Sequence, residues 1–148
     1  MRRETAIRVR AAKLEDARAI AGLSRQLGYP TSAPTIALRL RSVARSREHG
    51  AFVAAGPKGE ILGWIHVFVH RVLESEFSAE VGGLVVDEDF RGTGAGTALL
   101  ERAERWAISK RLRSITLRSN VIRKPAHAFY LKRGYRITKT QFAFRKTL

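Results

Sequence analysis

The chain contains no cysteine, which excludes disulfides, thiolate metal sites and a cysteine nucleophile. Long apolar runs are also missing, and none approaches the roughly 18 residues that a membrane-spanning helix needs. The opening "MRRETAIRVRAAKLED" is charged too early and too often for a secretory signal. A cytoplasmic protein with no membrane partner is expected. Repeats, linkers and low-complexity stretches are absent, so 148 residues with 45% hydrophobic content predict one domain over residues 1–148 with a real core. The four histidines are scattered without ligand spacing, and no metal is expected.

Acidic side chains are scarce too: 13 against 28 basic ones, for a formal charge of +15. The imbalance is uneven. Residues 101–148 carry 14 basic and two acidic side chains, a net of +12, leaving +3 on the first hundred residues. Such a half implies a polyanionic partner, nucleic acid or a phosphate-rich small molecule, or else a solvated basic surface.

What is present is a clear succession of elements. "AIRVRAA" alternates as a strand, and "KLEDARAIAGLSRQLGY" carries a helical apolar face closed by Gly28, Tyr29 and Pro30. "TSAPTIALRLRSVARSREHG" reads as a second helix with Ser32 as N-cap. "AFVAAG", "PKGE" and "ILGWIHVFVHRVL" form a hairpin. "SAEVGGLVVDEDF" is a further strand whose paired Gly82 and Gly83 predict a bulge. A helix over about 94–110, a strand in "SITLRSNV", a short helix in "KPAHAFYLKRGY" and a last strand in "ITKTQFAFRK" complete the order β-α-α-β-β-β-α-β-α-β. This predicts an α/β (α+β) fold, a mixed sheet with helices on its faces.

The stretch "FRGTGAGTALLERA" carries the chemistry. Arg91 is followed by Gly92, Thr93, Gly94, Ala95, Gly96 and Thr97, and then by strong helix formers. A loop feeding a helix N-terminus offers free N–H groups and a partial positive charge, a natural seat for phosphate. Glycines let the backbone turn and let the anion approach it. The spacing matches neither a nucleotide P-loop, which needs Gly-Lys-Ser/Thr, nor the G-x-G-x-x-G dinucleotide fingerprint.

"LVVDEDFRGTGAGTALL" resembles the acetyl-CoA-binding motif of the GNAT superfamily of N-acetyltransferases, Arg/Gln-x-x-Gly-x-Gly/Ala, through Arg91, Gly94 and Gly96. "AHAFYLKRGY" resembles the family's second motif through Ala126, Phe129, Tyr130, Gly134 and Tyr135. The strand order agrees along the chain. The resemblance implies a mostly antiparallel sheet of about six to seven strands flanked by four helices, with a splayed strand pair holding the cosubstrate. It further implies that backbone groups of Leu84, Val85 and Val86 hold the pantetheine arm, and that amides from Arg91 to Gly96, with Thr97, wrap the pyrophosphate. Asn120 and Phe129 would join these contacts. Arg123 departs from the pattern, standing where the family often has asparagine, and with Lys124 would meet the adenosine phosphates. Dimerisation is common in the family, and the sequence does not decide it.

Transfer of acetyl to an amine needs a neutral amine, a stabilised oxyanion and a protonated leaving thiolate. A lysine-type amine with a pKa of about 10.4 costs roughly 4.6 kcal/mol to deprotonate at pH 7, so a general base is valuable. Glu80, on the strand before the loop, is the candidate base, with His66, His70 and His127 as alternatives. Tyr130 is the candidate acid, and the Val85 amide a candidate oxyanion donor. Glu74, Glu76 and Glu80, followed by Asp87, Glu88 and Asp89, are the one acidic concentration and would draw a cationic amine. The motifs most resemble small-molecule acetyltransferases of aminoglycoside or polyamine type, with protein N-terminal or lysine acetylation as the alternative. Two rival classes are a nucleic-acid-binding module, which would want aromatics interleaved with the basic residues, and a silent acetyl-CoA sensor.

Overall fold

The computed structural model describes residues 6–148. Backbone proximity divides the chain into two compact units, Met1–Leu117 and Arg118–Leu148.

The first unit holds one mixed sheet of five strands in the order β1-β2-β3-β4-β5. β1 (Arg8–Ala11), β2 (His49–Ala55), β3 (Ile61–His70) and β4 (Ser78–Val86) run antiparallel to their neighbours. β5 (Ile115–Leu117) lies parallel to β4. Between β1 and β2 come a single 3-10 turn (Leu14–Asp16), helix α1 (Ala17–Gln26) and helix α2 (Ala33–Ala44). Helix α3 (Ala95–Ser109) joins β4 to β5.

Local chemistry sets the junctions. Asp16 takes both guanidinium nitrogens of Arg10, at 2.7 and 2.9 Å, and the Lys13 amide at 2.7 Å. Desolvation pushes this buried carboxyl up, but the Arg10 fork and the Lys13 amide outweigh it and hold it below the ordinary carboxylate range. The clasp ties the end of β1 to the start of α1. Ser32 caps α2 by accepting the Thr35 amide at 3.3 Å.

The two sheet faces differ in their cover. Ala17, Ile20, Ala21, Ile36 and Val53 form one cluster with Trp64 packed against it, so α1 and α2 cover the Trp64 face. α3 covers the other face: a Cβ on Gly63 would lie 3.1 Å from Leu99, and one on Gly50 would lie 2.9 Å from the Trp106 indole. Leu62, Ile65, Val67, Leu99 and Leu100 are fully buried.

The second unit contains helix α4 (Lys124–Lys132), with Pro125 in its first turn. Tyr130 meets Phe129 and Tyr135 edge-on, with ring centroids 5.4 and 6.1 Å apart.

The mixed, mostly antiparallel sheet and the four helices match the expectation, whereas the strand count does not: among the described residues there are five rather than six or seven. "ITKTQFAFRK" forms no strand, and its Phe142 and Phe144 are exposed. Alternating residues suit a strand, but a strand exists only where a neighbour supplies the ladder, and residues 136–148 pair with none among the described residues. "SITLRSNV" shrinks to Ile115–Leu117 because β4 offers it partners only at Ala79, Glu80 and Val81.

Candidate active site

The expected bulge is present and explains the shape of β4. The β3–β4 register slips between His66 and Val67, so Gly82 and Gly83 together oppose His66. Both positions demand glycine for space. A Cβ on Gly83 would lie 2.6 Å from the Trp64 ring, and one on Gly82 would lie 2.7 Å from His66 Nδ1.

Beyond the bulge, β4 continues to Val86 while β5 has ended at Leu117. The Asp87 amide donates to the Leu62 carbonyl at 2.8 Å. In an antiparallel ladder hydrogen-bonded pairs alternate with non-bonded ones. Val85, opposite Trp64, therefore bonds to β3, whereas Leu84 and Val86 turn their backbone groups to the far side, where β5 supplies no partner. A ligand amide running along that side meets a preset row of donors and acceptors. The Val85 amide, expected as an oxyanion donor, is committed to β3, so the open groups belong to Leu84 and Val86.

β4 passes through a 3-10 turn (Glu88–Phe90) into the glycine loop. Gly92 and Gly94 take φ of +80° and +94°, the left-handed region. Gly94 is the N-cap of α3, and the first helical bond runs from the Ala98 amide to the Gly94 carbonyl at 3.0 Å. No backbone acceptor takes the amides of Gly92, Gly94 or Gly96 among the described residues. The Thr93 hydroxyl donates to the Phe90 carbonyl at 2.6 Å, which stiffens the loop from within. Ala95 turns its side chain into the core, at 1% exposure, so only its backbone could meet a ligand. Arg91 is exposed at the loop's start. Free amides, a helix N-terminus and an arginine at the loop's start are together the chemistry that takes an anion.

Glu80 stands on the other half of β4. It pairs across the sheet with Phe68, so it shares a face with His66 and with His49, which lies opposite Phe68. This is the Trp64 face. The His49 and His66 rings stack 5.2 Å apart, with His49 Nδ1 2.9 Å from His66 Nε2, so one ring nitrogen donates and the other accepts. Phe68 stacks on both at 5.5 Å. Burial pushes the His66 imidazole down, with His49 adding to the effect, to about 4. His66 is therefore a neutral imidazole at pH 7. His70 meets Phe68 edge-on further along the same face.

Asn120, Arg123, Phe129 and Tyr130 gather within the second unit. Asn120 Oδ1 accepts the Ile122 amide at 3.1 Å, and its carbonyl lies 2.8 Å from His127 Nε2. His127 is thereby engaged in a turn. Arg133 lies over the Phe129 ring at 3.8 Å and donates to the Phe129 carbonyl at 3.0 Å. Burial pushes the Tyr130 phenol above its ordinary value, with Arg123 pulling partly the other way. Tyr130 holds its proton at neutral pH.

The acidic concentration does not survive folding as one patch. Glu74 and Glu76 precede β4 and Asp87 to Asp89 follow it, and nine strand residues hold the groups roughly 26 Å apart at ~3.3 Å per residue. The Asp87 carboxylate is used to accept the Asp89 amide at 3.1 Å. His49 escaped sequence reasoning: its partners His66 and Phe68 lie across a strand pair, and only the register joins them. Among the described residues no three His, Asp or Glu side chains stand close enough to hold a metal ion. No helix among them is long and apolar enough to cross a membrane.

A family model described as "Acetyltransferase (GNAT) family" matches residues 15–135. The aminoalkylphosphonate N-acetyltransferase of Salmonella typhimurium is 34% identical over 91 residues, 61% of this chain and 58% of that protein. An uncharacterized N-acetyltransferase of Methanocaldococcus jannaschii is 31% identical over 91 residues, 60% of this chain and 40% of that protein. The matches thus span about half the length of these curated relatives. An aminoglycoside N-acetyltransferase solved in complex with CoA superposes with a TM-score of 0.86 at 17% identity, covering 100% of this chain and 99% of that one. At that identity the likeness speaks for the fold.

Proposed function

Because the chain belongs to the acetyltransferase (GNAT) family, whose model spans residues 15–135, we propose that it moves an acetyl group from acetyl-CoA to a primary amine by direct attack. The observation that carries this reading is the pairing of two features on one strand-loop-helix unit. The backbone groups of Leu84 and Val86 are left without a strand partner, and the amides of Gly92, Gly94 and Gly96 without a backbone acceptor. The first fits the amide-bearing arm of the coenzyme and the second its pyrophosphate, so the residues present suit the cosubstrate. Arg91 adds a fixed charge, and Arg123 with Lys124 would take the remaining phosphate.

Glu80 is the proposed base, acting on the amine directly or through water. Freeing a lysine-type amine costs roughly 4.6 kcal/mol at pH 7, which a positioned carboxylate offsets in the transition state. His66, neutral at pH 7, and its hydrogen-bonded partner His49 lie on the same face and would give the released proton a route away from Glu80. Tyr130, which keeps its proton at neutral pH, is the proposed donor to the departing thiolate.

The acceptor is proposed to be a small cationic amine of aminoglycoside or polyamine type. An amine that also carries a phosphonate is the second reading, favoured by the Salmonella relative's substrate and by the excess of basic residues. Thiol release should be followed over a panel of an aminoglycoside, a polyamine, an aminoalkylphosphonate and a lysine peptide. Turnover with one class names the acceptor. Binding of acetyl-CoA with no turnover on any of them turns the protein into a sensor, and absence of acetyl-CoA binding ends the proposal.

A further inference from the structure

The proposed activity uses few of the basic residues, and a second group of them meets elsewhere in the first unit. A cleft of about 720 Å³ opens between the start of β4 and the end of α3. Arg47 and Glu48 reach it from ahead of β2, Arg71 from after β3, Glu76 and Phe77 from ahead of β4, and Lys110, Arg111 and Arg113 from beyond α3. Four stretches distant in sequence thus deliver five cations and two carboxylates to one hollow. α3 has 15 residues, so the cleft stands about 22 Å from the glycine loop at the helix's other end.

Internal pairing leaves most of that charge unmet. Glu48 is taken by Arg71, whose Nε donates to it at 2.6 Å. Lys110 rests on the Trp106 ring at 5.6 Å. Arg47, Arg111 and Arg113 meet no carboxylate among the described residues.

Arg111 carries a further sign. It is the one non-glycine residue with positive φ among the described residues, at +62°. It follows the end of α3, where the Leu112 amide returns to the Ala107 carbonyl at 3.1 Å, a helix stop that ordinarily takes glycine. An arginine here holds strained backbone at the lip of the cleft.

We propose that this cleft is a second anion site, distinct from the glycine loop and independent of the acetyl-transfer reading, and that it takes a small polyphosphorylated molecule. Arginine forks grip phosphate oxygens in pairs, and four of the five cations are arginines. The volume suits a ligand of nucleotide size. A nucleic-acid strand fits less well. Strand binding without sequence preference uses several exposed aromatic faces, and the cleft has a single aromatic, Phe77, with Arg71 over its ring at 4.8 Å.

The test is calorimetric titration of the whole chain at low salt with inorganic triphosphate, ATP and single-stranded oligonucleotides of increasing length. Triphosphate should bind at the cleft, apart from any binding at the glycine loop that CoA displaces, with affinity that weakens as salt rises. Arg111→Gly, which also relieves the strained backbone and so should raise the melting temperature, is expected to weaken triphosphate about tenfold, and Arg113→Ala similarly. Glu76→Gln should tighten it about threefold by removing a carboxylate from the hollow. Arg91→Ala, at the glycine loop, should leave it unchanged. ATP binding more tightly than triphosphate, with the same loss in Arg111→Gly, names a nucleotide as the natural source. Three results would overturn the proposal: no triphosphate binding at about millimolar concentration, full affinity in Arg111→Gly, or affinity that grows with oligonucleotide length while triphosphate fails.

Discussion

Replacing Gly94 by alanine separates what the glycine loop does for the fold from what it does for a ligand. Gly94 sits at φ +94°, and a Cβ built there meets nothing within 4 Å. The cost to the protein is therefore strain alone. A left-handed L-residue costs about 1–2 kcal/mol, and the reduced freedom of the unfolded chain gives back about 0.4–1 kcal/mol. The net loss should be about 1 kcal/mol, or roughly 3 °C in Tm for a chain of this size. Gly59, in the β2–β3 turn, is a matched control: its φ is +81° and its Cβ position is equally open. Gly59→Ala should cost the same stability.

The two variants should part company on acetyl-CoA. A methyl group at Gly94 occupies the space in which the pyrophosphate must approach the amides. Losing one charge-assisted hydrogen bond there costs about 1.5–3 kcal/mol, which raises Kd by roughly ten- to a hundredfold. Calorimetry reads this directly. Thermal melts with and without the coenzyme read it again, since at 100 times Kd a ligand adds about 2.7 kcal/mol. Wild type and Gly59→Ala should gain equal increments, and Gly94→Ala a much smaller one. If Gly94→Ala loses its few degrees yet keeps wild-type affinity, the loop does not hold the diphosphate.

Four further outcomes are expected. Glu80→Gln should lower kcat/KM for a lysine-type amine about a hundredfold at pH 7; the deficit should close as pH approaches the amine's own pKa, and a pH-independent deficit would show that Glu80 is not the base. Tyr130→Phe should lower kcat about tenfold or more with acetyl-CoA affinity within twofold, as stopped-flow and calorimetry would show. His66 has a folded-state pKa of about 4 against an ordinary 6.5, so the unfolded chain gains a proton first as pH falls and native stability is lost between those values; relative to His66→Gln, wild type should lose about 1 kcal/mol between pH 7 and pH 5 after allowance for partial exposure, measured by urea unfolding, and a constant gap would refute the burial effect. Leu100→Ala, at 0% exposure, should cost about 3 kcal/mol in the same assay with acetyl-CoA affinity retained.

Much of this site was legible in one dimension because its signals are local. Gly92 and Gly94 announce left-handed backbone, and strong helix formers after them announce free amides; both follow from residue type and spacing. The paired glycines announced the bulge, although what they make room for, the Trp64 ring and His66 Nδ1, emerges only in the folded sheet. Register is the information the sequence withholds. His49 and His66 are seventeen positions apart, and no periodicity joins them. The same holds for Glu76, which reads as part of an acidic run and folds into a hollow lined by arginines. The overcounted strand has the converse cause: residues 137–146 alternate like a strand, but alternation specifies a face and not a neighbour.

The bulge is the hinge of the whole arrangement. Without it β4 would keep one phase from Ser78 to Val86, and the backbone groups facing the β5 side past Val81 would be those of Gly83 and Val85. The extra residue at Gly82–Gly83 shifts that phase once. Before it, Glu80 faces the helix-α1 side beside Phe68, while its neighbours Ala79 and Val81 are buried. After it, Leu84 and Val86 open their polar groups to the side where β5 has stopped, and Val85 locks the strand to Trp64. One inserted residue thus decides which peptides lie along the open edge, Leu84 and Val86 in place of Gly83 and Val85, while Glu80 keeps the Trp64 face. In the proposed reaction the donor would lie along that edge and the acceptor's proton would pass to that face. The bulge also accounts for two adjacent glycines in a strand, where glycine otherwise weakens the element: a Cβ at either position would strike Trp64 or His66 and press the bulge flat.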